Sequence, residues 1–466
     1  MKSPHDMTDE KALADRTVER ALEAVPGAEV SAQADRHRLA LTRFANSVIH
    51  QNVAEDATTV RLVVHLDGRT VSGSSSVVSE DDVRSLVEQV SGAVRHAPLD
   101  PTWPGLDGPE RAGETSGVDL ATAGATPADR AEVVRAFVDG AGGLETAGYC
   151  RTNHWSGGFA SSAGQSVAGE AVECGVSGIA RQDGADGLAR HAPLSIAEVD
   201  GAALGARAAA KARAWSEPVE LPPGRYEVVL EPTAVSDLLG NVAVHAFNGK
   251  AVNERTSFVH VGQDQFDPAL SLVDDPLAVG LGYDGEGTPR GLLHLVENGR
   301  TVGVTHDRRS AAEAGAASTG HHGEVAFAYG PVARHLGLLA AAPDEVADEV
   351  DGPVCDSSAA ALVEGVERGI LVSDFWYTRV LDPRSLALTG LTRNGVWLVE
   401  NGEITRPVRN FRFTQSYAQA LAPGNVLGVG RTAAAVPGDT YTTTSPRWSC
   451  PALHLASWNF TGGSSG

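Results

Sequence analysis

The sequence predicts an α+β protein with an N-terminal α/β domain and a β-rich C-terminal domain. Three features of the 466-residue chain support this. Apolar residues recur at helical spacing in the first half, Asp-Gly and Asn-Gly dipeptides separate alternating segments, and prolines cluster near the middle. We predict the domain boundary at this proline-rich segment, residues 216–224. The predicted domains are therefore residues 1–215 and 225–461.

The first 76 residues predict a helix followed by strands. A short helical pattern covers residues 18–24, and a strand-like stretch follows that ends near Asn52. Residues 59–66 and 70–76 flank Asp67-Gly68, a dipeptide that readily adopts the positive φ angles of a two-residue hairpin. We therefore expect two antiparallel strands here.

Helix signals continue to the predicted boundary. Ser79 can cap the amides near Asp82, and apolar residues then recur at helical spacing. Thr126-Pro127 begins a second helix, because proline is tolerated in the first turn, and Gly140 is a plausible end. Between these helices and the boundary, residues 148–179 alternate as strands do, and the alanine-rich residues 196–214 predict a helix.

The second half is dominated by strand signals. Asn298-Gly299 and Asn401-Gly402 each lie between alternating segments and predict two further hairpins. Helices are expected at residues 233–247 and 358–368.

Charge and hydropathy exclude several classes of function. The 37 Lys and Arg residues against 59 Asp and Glu residues give a net charge of −22, which repels nucleic acid and anionic lipid. No apolar run approaches the roughly 20 residues that cross a bilayer, and the polar N-terminus does not resemble a secretory signal. We therefore expect a cytoplasmic protein with no nucleic-acid or membrane partner. The four cysteines are far apart and predict free thiols rather than disulfides or a zinc ribbon.

The first candidate chemistry is zinc hydrolysis. An H-E-x-x-x-H helix brings two imidazoles to a metal and places a glutamate beside its water. The nearest segment here begins at His245, but Ala246 replaces the glutamate and Lys250 replaces the second histidine. Because an ammonium repels a divalent cation, we predict no metal ligands and no catalytic residue in this segment.

Other polar residues are candidates for a binding site. Adjacent His321 and His322 favour a solvated loop, with a substrate-contacting loop as the alternative, whereas His306 and His335 are isolated in the sequence. Two acidic groups, Asp274-Asp275 and Asp284-Gly285-Glu286, could meet across a glycine-rich loop, either for acid–base chemistry or to cap turns.

An aromatic run, Phe375-Trp376-Tyr377, lies between Asp374 and Arg379. Successive strand residues face opposite sides, so at least one large ring is expected in the core and another can line a pocket or an interface.

Taken together, these and other segments resemble the TldD/TldE (PmbA) family, and its TldE (PmbA) branch in particular. The resemblance covers most of the chain. The segments that carry it, in order, are residues 43–52, 66–74, 249–252, 256–258, 273–276, 284–287, 306–311, 318–320, 369–372, 394–397 and 400–404.

The resemblance implies two subunits that close around an internal cavity. In this family the TldD-type subunit carries zinc on two histidines of an H-E-x-x-x-H helix and on a distant cysteine, with the glutamate as general base. This chain departs from that pattern at Ala246 and Lys250, and Gly430 stands where the cysteine is expected. The resemblance therefore implies the subunit without metal, with zinc on a TldD-like partner.

The implied function is the hydrolysis of amide bonds in unfolded or short peptides by a heterodimer. An alternative is an amidase or N-deacylase that acts on a small specialised metabolite or modified peptide, with a homodimer as an alternative assembly. Two further alternatives are a homodimer with its own hydrolase site and a chaperone-like partner without effect on turnover. The residues predicted to bind substrate are His245, Lys250, Asp275, Asp284, Glu286, His306, His321, His322, Asp374, Trp376, Tyr377 and Arg379.

Overall fold

The structure is a computed structural model that describes residues 8–115, 117–277, 280–323, 326–339, 352, 354–438 and 446–463. The helices before residue 216 are α1 (Thr8–Ala24), α2 (Glu80–Val94), α3 (Leu120–Ala123), α4 (Pro127–Gly140) and α5 (Gly201–Ala214), with a 3-10 turn at Ile196–Glu198. The strands in this part are β1 (Glu29–Ala45), β2 (Val48–Leu66), β3 (Arg69–Ser75), β4 (Glu145–Ser161), β5 (Ser166–Gln182) and β6 (Ala185–His191).

The second half contains six described helices and eleven described strands. The helices are α6 (Pro232–His245), α7 (Gly249–Asn253), α8 (Arg308–Ala314), α9 (Ala326–Tyr329), α10 (Ser357–Val363) and α11 (Tyr417–Ala420). The strands are β7 (Gly224–Leu230), β8 (Leu272–Asp274), β9 (Leu293–Glu297), β10 (Arg300–Thr301), β11 (Leu336–Leu338), β12 (Arg368–Asp382), β13 (Ala387–Glu400), β14 (Glu403–Pro407), β15 (Phe411–Ser416), β16 (Val426–Pro437) and β17 (Arg447–Gly463).

The strands form two sheets, which confirms the mixed α+β class. The first sheet has the order β3-β2-β1-β4-β5-β6 and is antiparallel throughout. The second contains all strands from β7 onward, and β7 pairs with both β12 and β17, so that β7, β12, β13, β15 and β17 close into a ring. Each sheet therefore takes its strands from one side of residues 216–223.

One face of the first sheet is covered by helices. Even-numbered strand residues such as Val60, Leu62 and Val64 pack against α1 and α2, and Cys150 and Cys174 belong to the core beneath α4 and α5. Because strand side chains alternate between faces, the odd-numbered residues of β1, β2 and β4 lie on the opposite face. That face is turned toward the second half of the chain.

The predicted hairpins are confirmed. Positive φ angles occur at Asp67-Gly68, Asn298-Gly299 and Asn401-Gly402, and each dipeptide joins two antiparallel strands. The predicted helix starts at Ser79 and Thr126 are also confirmed, since the Ser79 side chain accepts from the Asp82 amide and Thr126 forms a capping box with Asp129.

Three predicted elements were wrong in their bounds. The strand-like stretch ending near Asn52 is divided by a turn at Asn46-Ser47, whose φ angles of 50° and 60° reverse the chain between β1 and β2. The helix over residues 196–214 is broken at Asp200, which caps α5 through the Ala203 amide. The helix over residues 358–368 ends at Val363, and a strand begins at Arg368. In each case local turns or caps, rather than apolar spacing, determine the boundary.

All four cysteines are buried free thiols, as predicted. Among the residues that the structure describes, no helix is both long enough and apolar enough to cross a membrane.

Candidate substrate cleft

A cleft of about 400 Å³ lies between the open face of the first sheet and loops of the second half. This volume is within the range of small-molecule binding pockets. The sheet contributes Gln33, Asp35, His37, Glu55, Ala57, Thr59, Arg61, Ser74, Trp155 and Ala171, and the loops contribute Gly280, Leu281, Tyr283, Asp284, Gly285, Arg290, His322, Gly323, Arg334 and His335.

The sheet wall follows from strand register. Gln33 lies opposite Arg61, Asp35 opposite Thr59 and His37 opposite Ala57, so all six side chains share one face of β1 and β2. This alternation places polar side chains in the cleft and apolar ones beneath the helices.

A flat ring pair lies in the middle of this wall. His37 stacks on Trp155, its neighbour on β4, with ring centroids 5.2 Å apart and planes 5° from parallel. His37 Nε2 is 3.1 Å from Asn153 Oδ1, and Asn153 donates to Glu173, which forms a buried ion pair with Arg151. This network fixes the orientation of the His37 ring.

Close approach of the two walls depends on Gly157. A Cβ atom at this position would lie 2.5 Å from Asp35 Oδ1 and 2.8 Å from Tyr283 Oη. Tyr283 is almost fully buried, and burial, with the nearby carboxylate of Asp35, raises the pKa of its hydroxyl. A side chain at this position would displace the Asp35 carboxylate or the Tyr283 hydroxyl.

The opposite wall is held by the loop that begins at Asp284. One carboxylate oxygen of Asp284 accepts hydrogen bonds from the amides of Glu286 (2.9 Å) and Thr288 (3.0 Å), and the other accepts from the His322 amide at 2.8 Å. Asp284 therefore organises the loop and does not present a free carboxylate to the cleft.

The two adjacent histidines point in different directions. His321 is buried and donates from Nε2 to Asp274 Oδ2 at 2.9 Å, whereas His322 lines the cleft. The expectation of a solvated loop was wrong for His321, because the buried carboxylate of Asp274 draws its imidazole inward. The dipeptide thus links both acidic groups, through the His321 side chain to Asp274 and through the His322 amide to Asp284.

Asp274 is fully partnered in the interior. Its second oxygen accepts from the His335 amide at 2.8 Å. Burial opposes ionisation of Asp274, but the hydrogen bonds from His321 and His335 outweigh it and lower its pKa. Burial also lowers the pKa of His335 to about 4, and Arg290 and Arg334 act in the same direction. His335 therefore contributes a neutral imidazole at pH 7.

His322 belongs to a charged group at the cleft wall. Its Nδ1 is 3.5 Å from Glu286 Oε1 and 3.7 Å from Asp307 Oδ2. Burial opposes protonation of His322, but these carboxylates outweigh it and raise its pKa. Burial raises the pKa of Glu286, although His322 and Arg308 oppose the shift. The charges of His322 and Glu286 therefore depend on each other.

Comparison with known proteins gives the family. Residues 223–462, more than half of the chain, match the family described as the PmbA/TldA metallopeptidase C-terminal domain. The chain belongs to the PmbA/TldD family.

A protein named metalloprotease from Synechocystis is 22% identical over 204 residues, which cover 42% of this chain and 41% of that protein. A metalloprotease from Methanothermobacter thermautotrophicus is 23% identical over 232 residues, which cover 49% and 47%. The match thus spans less than half the length of either relative.

Solved structures share the fold over nearly the full chain. TldE from Thermococcus kodakarensis has a TM-score of 0.81 at 16% identity and covers 96% of this chain and 99% of that one. A putative modulator of a DNA gyrase from Thermotoga maritima gives 0.78 at 16% identity, with coverages of 96% and 100%. A putative modulator of DNA gyrase from Bacteroides thetaiotaomicron gives 0.77 at 18% identity, with coverages of 98% and 100%. These likenesses establish the fold.

The segment from His245 to Lys250, which the sequence compares with an H-E-x-x-x-H helix, is interrupted. Helix α6 ends at His245, and α7 begins only at Gly249 after the cap residue Asn248. Lys250 lies on α7 and forms an ion pair with Glu254 at 3.1 Å. Within the described ranges, no three His, Cys, Asp or Glu residues are grouped so that they could hold a metal ion. The residues of this segment therefore do not fit a metal ion.

Of the twelve residues predicted to bind substrate, Asp284 and His322 line the cleft. Next to them, Glu286 contacts His322. His321 points into the interior, where its side chain contacts Asp274. His306 is buried with Nδ1 3.2 Å from Ser310 Oγ, and Asp275 is exposed in a turn where its side chain accepts from the Leu277 amide. His245 and Lys250 lie in the interrupted helical segment and do not line the cleft.

The four predicted residues on β12 lie elsewhere. Asp374 is buried, accepts from Asn394 Nδ2 at 2.9 Å and lies 3.6 Å from Arg190. Trp376 and Tyr377 are exposed, and arginine side chains cover their rings, with Arg393 4.8 Å from the Trp376 centroid and Arg379 4.3 Å from the Tyr377 centroid. Trp376, Tyr377 and Arg379 form an exposed aromatic surface on β12, and none of the four residues lines the cleft.

Sequence reasoning missed most of the cleft. His335 was treated as isolated, and Glu55, Arg61, His37 and Trp155 carried no motif. The alternation of polar residues on β1 and β2 was the available signal, but it acquires a meaning only when the loop around Tyr283 covers that face.

Proposed function

We propose that this chain is the TldE-like subunit without catalytic metal of a zinc-dependent peptidase of the PmbA/TldD family. The zinc is held by a TldD-like partner subunit, and the pair hydrolyses amide bonds of unfolded or short peptides in a chamber between the subunits. The observation that carries the proposal is the interrupted segment between His245 and Lys250, where a zinc-binding member of the family would need a continuous helix.

The charge at Lys250 supports this assignment. Its ammonium group is ion-paired with Glu254 and half-buried, so it occupies the place of the second imidazole with a cation. A cation at this position opposes the binding of a divalent metal by electrostatic repulsion. No catalytic step in this chain is therefore assigned to a metal.

The contribution of this chain is to hold the peptide. The cleft supplies polar groups on both walls, and the outer edge of β2 provides main-chain groups. Strand β3 pairs only with residues 60–66 of β2, and no other described strand pairs with the outer edge of residues 48–59. An extended peptide can add to such an edge by main-chain hydrogen bonds, largely independent of its sequence.

The exposed aromatic surface on β12 gives the chain a second wall. Trp376, Tyr377 and Arg379 do not line the cleft of a single chain, so they reach substrate only when a partner encloses them in a shared chamber. Aromatic and arginine side chains are the types that contribute most at such surfaces.

The test is metal analysis with native mass spectrometry on this chain purified alone and after co-expression with a TldD-like chain that contains H-E-x-x-x-H. We expect about one zinc ion per 1:1 pair and none bound stoichiometrically by this chain alone. Peptidase activity should accompany the pair. Stoichiometric zinc in the isolated chain, or activity without the partner, would overturn the proposal. An assay with N-acylated small molecules distinguishes the amidase alternative from peptide hydrolysis.

A further inference from the structure

We infer that the cleft binds an extended oligopeptide with free termini in one direction, its amino end beside Glu55 and its carboxyl end beside Arg61. This inference rests on the proposed function, because it gives the form and direction of the substrate in the same cleft.

The part of the sheet wall that β2 forms, here called the floor of the cleft, has a charged residue at each end. Glu55, Ala57, Thr59 and Arg61 alternate onto the cleft face, and all four line it. At a rise of about 3.4 Å per residue, Glu55 and Arg61 are about 20 Å apart along the strand. The two residues between them on this face are small and uncharged, so they leave room for a ligand backbone.

Glu55 and Arg61, the charged residues at the two ends, form no ion pair with another described residue. Among the ion pairs and side-chain hydrogen bonds between described residues, none involves Glu55 or Arg61. On the opposite face of the same strand, Asp56 accepts two hydrogen bonds from Arg36, each of 2.6 Å. The contrast shows that charges on this strand do find partners when the fold supplies them. Glu55 is exposed and Arg61 is half-buried, so both remain accessible from the cleft.

The Arg61 end of the cleft lies at the level of His322. Arg61 lies opposite Gln33 in the β1–β2 register. A Cβ atom on Gly285 would contact Gln33 Oε1 at 3.2 Å and His322 Cδ2 at 3.0 Å, which places the His322 ring at the same level of the sheet. His322 is already paired with Glu286 and Asp307, so Arg61 supplies the cation that favours a ligand carboxylate at this end.

The distance between Glu55 and Arg61 indicates the length of the peptide that can reach both. An extended peptide advances about 3.4 Å per residue, so about six residues span the distance between the two charges. The His37–Trp155 stack lies beside Ala57 in the middle and offers a flat surface to a side chain of the peptide. The reversed direction would place an ammonium group beside Arg61 and a carboxylate beside Glu55, which is unfavourable at both ends.

The experiment is isothermal titration of the full-length chain with an uncharged-side-chain hexapeptide and its N-acetylated and C-amidated forms. Blocking either end should weaken binding by about twofold to fivefold, as expected for loss of one partly exposed ion pair. A dipeptide should bind more weakly than the hexapeptide because it cannot reach both ends.

Single substitutions test which residue binds each terminus of the peptide. Glu55→Gln should abolish the penalty for N-acetylation and keep the penalty for amidation, and Arg61→Gln should do the reverse. Asp56→Asn is the matched control, since it removes a carboxylate from the other face of the same strand, and it should preserve both penalties. The inference is overturned if blocked and free hexapeptides bind equally, if no hexapeptide binds, or if the variants leave the penalties unchanged. These readouts need neither zinc nor turnover, so failure of the metal-subunit proposal is detected separately.

Discussion

Arg309 donates two hydrogen bonds, each of 2.9 Å, to the two carboxylate oxygens of Asp100. Asp100 lies in the segment after α2, and Arg309 is in the first turn of α8, so this pair ties the first half of the chain to the second. Burial opposes ionisation of Asp100, but hydrogen bonds from Arg309, Thr70 and Thr102 outweigh it and lower its pKa to about 2. The pair thereby helps to hold the loops of the cleft against the sheet.

Replacement of Arg309 tests this link. Arg309→Ala should lower the free energy of unfolding at pH 7 by about 1 kcal/mol, because the pair is bidentate but partly exposed. Since the folded-state pKa of Asp100 is depressed, its stabilisation is present above pH 3.8 and is lost as the pH falls toward 2. Urea denaturation at pH 7 and pH 2.5 measures the difference. Arg300→Ala, at a more exposed pair with Asp264, is the control and should cost less.

Gly157 should tolerate no side chain. Gly157→Ala introduces a Cβ atom 2.5 Å from Asp35 Oδ1 and 2.8 Å from Tyr283 Oη, so the Asp35 carboxylate or the Tyr283 ring must shift. Overpacking of this kind costs about 1–3 kcal/mol. Thermal denaturation measures the cost. Gly169→Ala is the matched control, because its nearest atom, Tyr283 Cε1, would lie 3.2 Å away. Equal stability of the two variants would contradict the close approach at Gly157.

The His322 ion pairs predict a pH-dependent stability. His322→Gln should destabilise the protein by about 2 kcal/mol at pH 6, because Glu286 and Asp307 then lose a buried cationic partner. The folded-state pKa of His322 is raised, so this stabilisation is complete below pH 6.5 and declines as the pH rises through the folded-state pKa. The difference from the wild type should therefore be smaller at pH 9. A pH-independent difference would contradict this expectation. His294→Gln, at an exposed pair with Glu297, serves as the control.

Asp356 should destabilise the folded protein when ionised. Burial and the carboxylate of Glu231 raise its pKa to about 6. A raised carboxyl pKa means that the cost of ionisation develops between pH 3.8 and 6 and is complete above pH 6. Asp356→Asn should therefore increase the free energy of unfolding by about 1–2 kcal/mol at pH 7.5 and leave it unchanged near pH 3.8. Asp200→Asn controls for capping, since both residues accept a hydrogen bond at a helix start.

Trp376 provides a test of the shared chamber. Its side chain is 39% exposed, so Trp376→Ala should leave the melting temperature of the isolated chain nearly unchanged. In a reconstituted pair, peptidase activity should fall while assembly, measured by native mass, persists. Loss of assembly would instead show that the aromatic surface is the subunit contact. Leu381→Ala, at another exposed apolar residue of β12, is the control.

The predicted secondary structure was most accurate where a local interaction determines it. Asp67-Gly68 and Asn401-Gly402 need only their own backbone preferences to form hairpins, and Ser79 needs only the amide three residues later. The turn at Asn46-Ser47 was missed because apolar residues continue on both sides of it. His321 was assigned to a solvated loop because its partner, Asp274, is 47 residues away in the chain.

The sequence by itself determined the α+β class, the hairpins and helix caps, and the absence of the zinc motif at Ala246 and Lys250. These depend on residue type and on spacing over a few positions. Only the tertiary structure decided which polar residues share a site, since the cleft joins β1, β2 and β4 to a loop more than 100 residues later. Gly157 and Tyr283 meet there because chain folding brings two surfaces into van der Waals contact, and no local pattern encodes that contact.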